Sequence, residues 1–304
     1  MSFPNFVIGG VSAGGTSFLA SILKQHENIY FPKEIQPEPH YYFKSSEYKK
    51  GKNYYLERWF KDVPKTAIAI GERSSSYLYG GKNVAKKIAS DFPDLKLIFV
   101  LRNPSERAWA NYRFTVLQGL EEYSFEDALK FETERKAKAT GIWAEIQPHD
   151  YTGRGFYANQ INQYLEYFDK KNILLVKSEL LSSQTDVELK KILNFLGLSS
   201  NKFKYVRSPN YSAVNVINPY LQTELRKYFC GRFDKVVEGI RKKESLKQFI
   251  FNDQDKLMVS KLLNNLSPKI NPMPEECRSY LLKVFRNSND SLCQYVDFDV
   301  SDWS

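Results

Sequence analysis

Residues 9–19 read GGVSAGGTSFL, a run of small residues whose backbone N–H groups can turn toward an anion. A helix beginning near Thr16 adds its positive end to the same place. Phosphate or sulfate is the natural occupant of such a loop, and a glycine-rich turn that binds nothing is the plain alternative. Against the nucleotide-loop pattern GxxxxGK[ST], Gly9 and Gly14 fit, but Gly15 stands where the lysine belongs. The later apolar run LKLIFVL is followed by Arg102-Asn103-Pro104, without the strand-terminal aspartate that would hold magnesium. Both departures count against an ATPase or kinase. The loop reads as a phosphate cradle that works without a metal.

The elements that must position this loop follow from periodicity. Phe6 to Gly10 reads as a strand, and Thr16 to Gln25 carries Phe18, Leu19, Ile22 and Leu23 at helical spacing. Ala67 to Gly71, Leu95 to Leu101 and Ile173 to Lys177 are continuous apolar runs of the kind covered on both faces of a sheet. Helices are expected at Tyr54 to Phe60, Asn83 to Asp91, Pro104 to Gln118, Ser124 to Ala139, Tyr157 to Phe168 and Thr185 to Leu196, the last stopped by Gly197. Beyond Pro209 the pattern is helical and basic, through Tyr220 to Lys242, Asp253 to Leu266 and Glu275 to Leu292. Strands alternating with helices predict a parallel sheet. Together with the glycine loop, the expected class is an α/β, P-loop-like three-layer fold: a central, mostly parallel sheet flanked by helices, with a helical C-terminal region. No repeat or low-complexity linker marks a cut, so 1–304 is read as a single domain.

Composition sets the outer limits. A formal charge of +9 attracts anions, but no lysine or arginine block of nucleic-acid type accompanies it, only pairs such as Lys49-Lys50 and Lys86-Lys87. The three cysteines, Cys230, Cys277 and Cys293, lack metal-ligand spacing and are expected as free thiols. An apolar strand almost at the start leaves no room for a leader peptide, and no run approaches the ~20 apolar residues of a membrane span, so a cytoplasmic location is expected. Aromatic residues make up 15% of the chain, a content that suits pockets holding a ring or a sugar.

The segment LRNPSERAWANYRF at Leu101 to Phe114, preceded by the glycine loop, resembles the paired signature elements of sulfotransferases. EPHYYF at Glu38 to Phe43, GERSSSYL at Gly71 to Leu78, RGFYANQINQYLEYF at Arg154 to Phe168 and PMPEECRSYLLKVFRNSNDSL at Pro272 to Leu292 are similar to bacterial sulfotransferases related to the heparan sulfate enzymes. The resemblance implies a 3′-phosphoadenosine 5′-phosphosulfate (PAPS) donor, released as the bisphosphate PAP. It implies a small-molecule or carbohydrate acceptor, with no nucleic-acid partner. Neither acceptor nor oligomeric state follows from it.

By the same resemblance, Gly14, Gly15, Thr16 and Ser17 hold the 5′-phosphosulfate and Arg102 the 3′-phosphate, for which a guanidinium fork is suited. Arg154, Gly155 and Tyr157 belong to the loop that helps enclose the nucleotide. Lys204 and Arg207 fall where a basic substrate or nucleotide loop is found. Glu38 takes the position of the catalytic base, with Glu34 as fallback in register. His40, with an ordinary pKa of ~6.5, is an alternative base or a structural hydrogen-bonding residue. Two positions depart from the family pattern: Ala13 replaces a lysine before the glycine pair, and Ala110 a helix serine at the 3′-phosphate. Ala13 leaves three accounts open: a cation moved elsewhere, an inactive homologue that still binds nucleotide, or a deliberate substitution. Arg73 is the candidate for the moved cation, against the alternative of a surface pair with Glu72. Trp109 and Tyr112 are expected in core packing.

Overall fold

The computed structural model describes residues 3–32, 38–199, 203–207 and 214–303. Five strands form one parallel sheet: β1 (Phe6–Gly10), β2 (Ile29–Tyr30), β3 (Ala69–Arg73), β4 (Lys96–Leu101) and β5 (Ile173–Lys177), in the order β2-β3-β1-β4-β5. β1 and β4 lie inside the sheet and are covered on both faces, which is why their sequences are unbroken apolar runs.

The pleat sends alternate residues into two cores. Val7, Leu97, Phe99 and Leu101 join Tyr42, Tyr55, Tyr77 and the helices Gly81–Asp91 and Tyr157–Leu165 on one face. Phe6, Ile8, Ile98 and Val100 meet α1 (Thr16–Leu23) and the helix Thr185–Leu196 on the other. The predicted three-layer α/β fold is the fold observed.

Several local expectations shift. The third strand begins at Ala69 and runs on through Glu72 and Arg73, two charged residues that no apolar pattern would place in a strand. β2, two residues long at the sheet edge, is too short to give a period. The helix expected from Ser124 breaks at Phe131 into Phe125–Lys130 and Glu132–Lys138, and that expected from Tyr220 is interrupted at Cys230, which adopts φ 48°.

The chain resolves into two compact units: residues 1–107, 152–208 and 281–304 carry the sheet, and residues 108–151 and 209–280 form a mainly helical second unit. Two of the four divisions fall within the helices Pro104–Leu117 and Glu275–Leu292, so no linker announces those two in the sequence. In the second unit Leu225, Phe229, Phe233, Val236, Val237, Val259 and Leu262 are buried, and Trp109 stacks on Tyr112 with centroids 5.4 Å apart. The buried Glu121 carboxylate there accepts from Arg135 and Tyr151, each at 2.8 Å. Among the described residues no helix is long and apolar enough to cross a membrane, and no group of three His, Cys, Asp or Glu is placed to hold a metal.

Candidate functional site

In a parallel sheet every strand ends on the same edge, and the loops leaving that edge meet around the point where the strand order reverses. Here the chain runs from β1 outward to β2 and β3 on one side, then crosses to β4 and β5 on the other. The crevice beside β1 therefore gathers the glycine loop from β1, the 74–80 turn from β3, Arg102 from β4 and Ser178 from β5.

The glycine loop is tightly seated. Val11 N donates to Val100 O (3.0 Å) and Gly14 N to Val11 O (2.9 Å). A Cβ on Gly14 would lie 2.6 Å from the Val100 carbonyl, so no other residue fits without moving backbone. Gly15 has φ 99° and begins α1, and Ala13 also lies in the left-handed region at φ 63°. No side chain caps α1, and no acidic residue occupies its first turn. That leaves the positive end of the helix to an external anion. Thr16 is buried and Ser17 exposed beside it.

Arg102, half-buried at the end of β4, reaches back with Nη1 to the Ala13 carbonyl at 3.3 Å. Its own carbonyl accepts from Tyr157 Oη at 2.9 Å. Asn103 caps the following helix, its Oδ1 accepting from Ser105 N (3.0 Å) and Glu106 N (3.3 Å), while Asn103 N donates to Glu179 Oε1 at 3.0 Å. These bonds fix the Arg102 backbone and leave its guanidinium beside the loop.

A second cluster is built by the 38–43 segment and the end of β3. The Glu38 carboxylate is paired with the Arg73 guanidinium and accepts from Ser75 N at 2.7 Å, from Ser75 Oγ at 2.8 and 3.1 Å, and faces His40 Nε2 at 3.1 Å. The side chains of Glu38 and Arg73 are 10% and 3% exposed, so this is a buried ion pair. Burial alone would raise the Glu38 pKa. Arg73, then His40 and the two Ser75 donors, outweigh it and hold the carboxyl below its ordinary value. It is therefore a carboxylate at neutral pH.

His40 N donates to Ser74 Oγ at 2.8 Å, and its ring is pushed down to about 4, chiefly by burial and further by Lys44, Arg154 and Arg73, against the opposing pull of Glu38. The imidazole is thus neutral at pH 7, and a neutral ring facing a carboxylate through Nε2 donates that proton. Arg154 does not stand with Arg102: its guanidinium lies 4.1 Å from the Tyr79 ring and donates to Ser76 Oγ at 3.4 Å, on the Glu38 side. The reading of Glu72 and Arg73 as a surface pair is overturned. Consecutive strand residues face opposite sides, both are buried, and the Arg73 partner is Glu38, 35 residues earlier.

The remaining candidates are dispersed. Gly155 packs where a Cβ would meet the Phe285 ring at 2.6 Å. Arg207 bonds Thr185 Oγ1 and the Ser182 carbonyl, and Lys204 is exposed. Ala110 belongs to the second unit. Glu34 lies outside the described residues. Sequence reasoning gave no role to Ser75, although it sits two places after Arg73 in the same motif; its two donors to Glu38 become visible only when the 38–43 segment is laid against β3.

A family model described as the sulfotransferase domain matches residues 3–218. The Mus musculus heparan sulfate glucosamine 3-O-sulfotransferase 3B1 is 30% identical over 198 residues, covering 64% of this chain and 46% of that protein. The Mus musculus bifunctional heparan sulfate N-deacetylase/N-sulfotransferase 4 is 25% identical over 301 residues, 96% of this chain and 30% of that protein. The chain thus spans less than half the length of these relatives. A solved sulfotransferase from Alicyclobacillus acidocaldarius shares the fold, with a TM-score of 0.70 over 100% of this chain and 99% of that one at 21% identity. The matched span contains the glycine loop, Arg102 and the Glu38 cluster together, and with the five-stranded parallel sheet it settles the assignment: the chain belongs to the sulfotransferase family.

Proposed function

We propose that the chain transfers a sulfuryl group from PAPS to a hydroxyl or amine of an acceptor, with Glu38 as general base. The observation that carries this reading is a buried, ionised carboxylate on the same sheet edge as an uncapped glycine-loop helix. When bound, PAPS supplies the sulfuryl group and its phosphate leaving group. The Gly14, Gly15, Thr16 and Ser17 backbone would hold the phosphosulfate, and Arg102 would exchange its bond to the Ala13 carbonyl for the 3′-phosphate. Glu38 takes the acceptor proton as the nucleophile attacks in line, so the new O–S or N–S bond forms as the sulfur–phosphate-oxygen bond breaks. No covalent intermediate is needed.

Arg73 fixes the carboxylate and offers a cation near the reacting atoms, in keeping with Ala13 standing where a lysine is common. His40, with its Nε2 proton committed to Glu38 and a pKa of about 4, orients the base instead of replacing it. The names of the relatives favour a carbohydrate acceptor.

The test is thermal stability with PAP, ATP and AMP, with and without EDTA. A ligand at 100 times its Kd adds ~2.7 kcal/mol. PAP is expected to raise the melting temperature equally with EDTA present. A shift with ATP and magnesium but none with PAP would overturn the reading. Turnover of PAPS then separates an enzyme from a nucleotide-binding homologue: measurable transfer is expected in the chain as it stands. Activity found only in Ala13→Lys would favour the inactive homologue.

A further inference from the structure

One ionisable group near the base takes no part in the chemistry above. Glu72 is fully buried on β3, on the face opposite Arg73, with the uncharged Val7 of β1 beside it in register. Three routes of hydrogen bonds and ring packing run toward it from the segment that carries Glu38. His40 N donates to Ser74 Oγ (2.8 Å), and the Ser74 hydroxyl lies close enough to Glu72 to lower its pKa. Tyr42 N donates to Tyr77 Oη (3.4 Å), and the Tyr77 hydroxyl lies near the same carboxyl and lowers its pKa. The Tyr41 ring stacks on Tyr55 at 4.5 Å, and Tyr55 Oη donates to Glu72 Oε1 at 3.3 Å. Glu72 Oε2 has no donor at normal hydrogen-bond length.

We propose that Glu72 is a positioning residue on which the His40, Tyr41 and Tyr42 anchors converge, so that its protonation sets the orientation and basicity of Glu38. This rests on the assignment of Glu38 as the base. Among the described residues, the groups that act on Glu72 include Tyr55 from the helix Lys52–Phe60, Tyr77 and Ser74 from the turn after β3, and Tyr42 and Glu38 from the 38–43 segment. None of these is a cation, and burial, with Glu38 adding to it, carries the Glu72 carboxyl up to about 7 against the three nearby hydroxyls. Below neutrality Glu72 is a neutral acid. Above it, a second negative charge near Glu38 makes Glu38 hold a proton more tightly and act as a stronger base.

The experiment is a carboxyl 13C NMR titration of the ligand-free protein labelled at glutamate, with Glu38→Gln and Glu72→Gln to assign the two signals. In the wild type one carboxyl should titrate near neutrality, and the Glu38 signal should show an inflection in the same range. Both features should vanish in Glu72→Gln. A Glu38 signal that is the same in wild type and Glu72→Gln would overturn the proposal. Should Glu72→Gln fail to fold, Tyr55→Phe removes a bond that lowers the Glu72 pKa, and the inflection should move to higher pH; an unmoved inflection overturns it too. In PAPS turnover, Glu72→Gln should lower kcat ~10-fold or more with the donor KM unchanged, as expected when a base is misplaced, and should abolish the kcat limb near pH 7. If the wild type turns over no PAPS at any pH, the assigned function fails, while the titration still decides whether Glu72 and Glu38 are coupled.

Discussion

Replacing Glu38 by glutamine keeps the shape of the side chain and removes its charge. In the native site the two carboxylate oxygens serve the Arg73 guanidinium, the Ser75 N–H and hydroxyl, and the His40 ring. An amide has one acceptor oxygen, and its NH2 must face one of these donors, so at least one pairing becomes donor against donor. Arg73, 3% exposed, then loses the Glu38 carboxylate from beside its buried charge. Breaking a buried pair in this way costs ~3–5 kcal/mol, and an isosteric amide that retains part of the hydrogen bonding belongs at the lower end, about 3 kcal/mol. On the scale of a domain this size the melting temperature should fall by roughly 5–10 °C. Glu38 has a folded pKa below its unfolded value of 4.5, so the stability it contributes is present above pH 4.5 and is lost as pH falls through the folded value. The wild-type advantage should therefore be full at pH 7 and shrink below pH 4.5. Turnover of PAPS, measured at a temperature where the variant is fully folded, should drop ~10²–10⁴-fold, with PAP binding retained. Denaturant unfolding at pH 7 and at pH 4, paired with the turnover assay, decides the matter. A loss under 1 kcal/mol at pH 7 would refute the buried pair, and unchanged turnover would refute the base.

Other substitutions probe the rest of the site. Gly14→Ala should lose ~1–3 kcal/mol and weaken PAP binding, because its Cβ would press on the Val100 carbonyl at 2.6 Å; calorimetric melting and PAP titration check this. Ala13→Gly should gain up to ~1 kcal/mol in denaturant unfolding, since φ 63° costs an alanine and not a glycine. The His40 pKa falls from 6.5 to about 4 on folding, so native stability should decline by up to about 3 kcal/mol as pH drops across that window, and His40→Asn should flatten this limb in urea unfolding.

What the sequence determined by itself was local. The glycine loop, the helix from Thr16 and the LKLIFVL strand each carry their signal within about a dozen residues, because glycine freedom and apolar periodicity are properties of neighbours along the chain. The alternation of strands with helices was enough to predict the parallel sheet. The two-residue β2 edge was below the length at which a period can be read, and the breaks at Phe131 and Cys230 depend on packing that propensity does not record. So does the division into two units, which at two of its four points cuts through a helix. The partner of Arg73 was a tertiary decision. Its neighbour Glu72 is adjacent in sequence but lies on the other face of the strand, and Glu38 is 35 residues away yet close enough to pair. Burial decided the protonation states as well: at pH 7 Glu38 is an ionised carboxylate and His40 a neutral imidazole, while Glu72, the same residue type as Glu38, is pushed up to about 7. Desolvation and counterion distance set those states, and neither exists until the chain has folded.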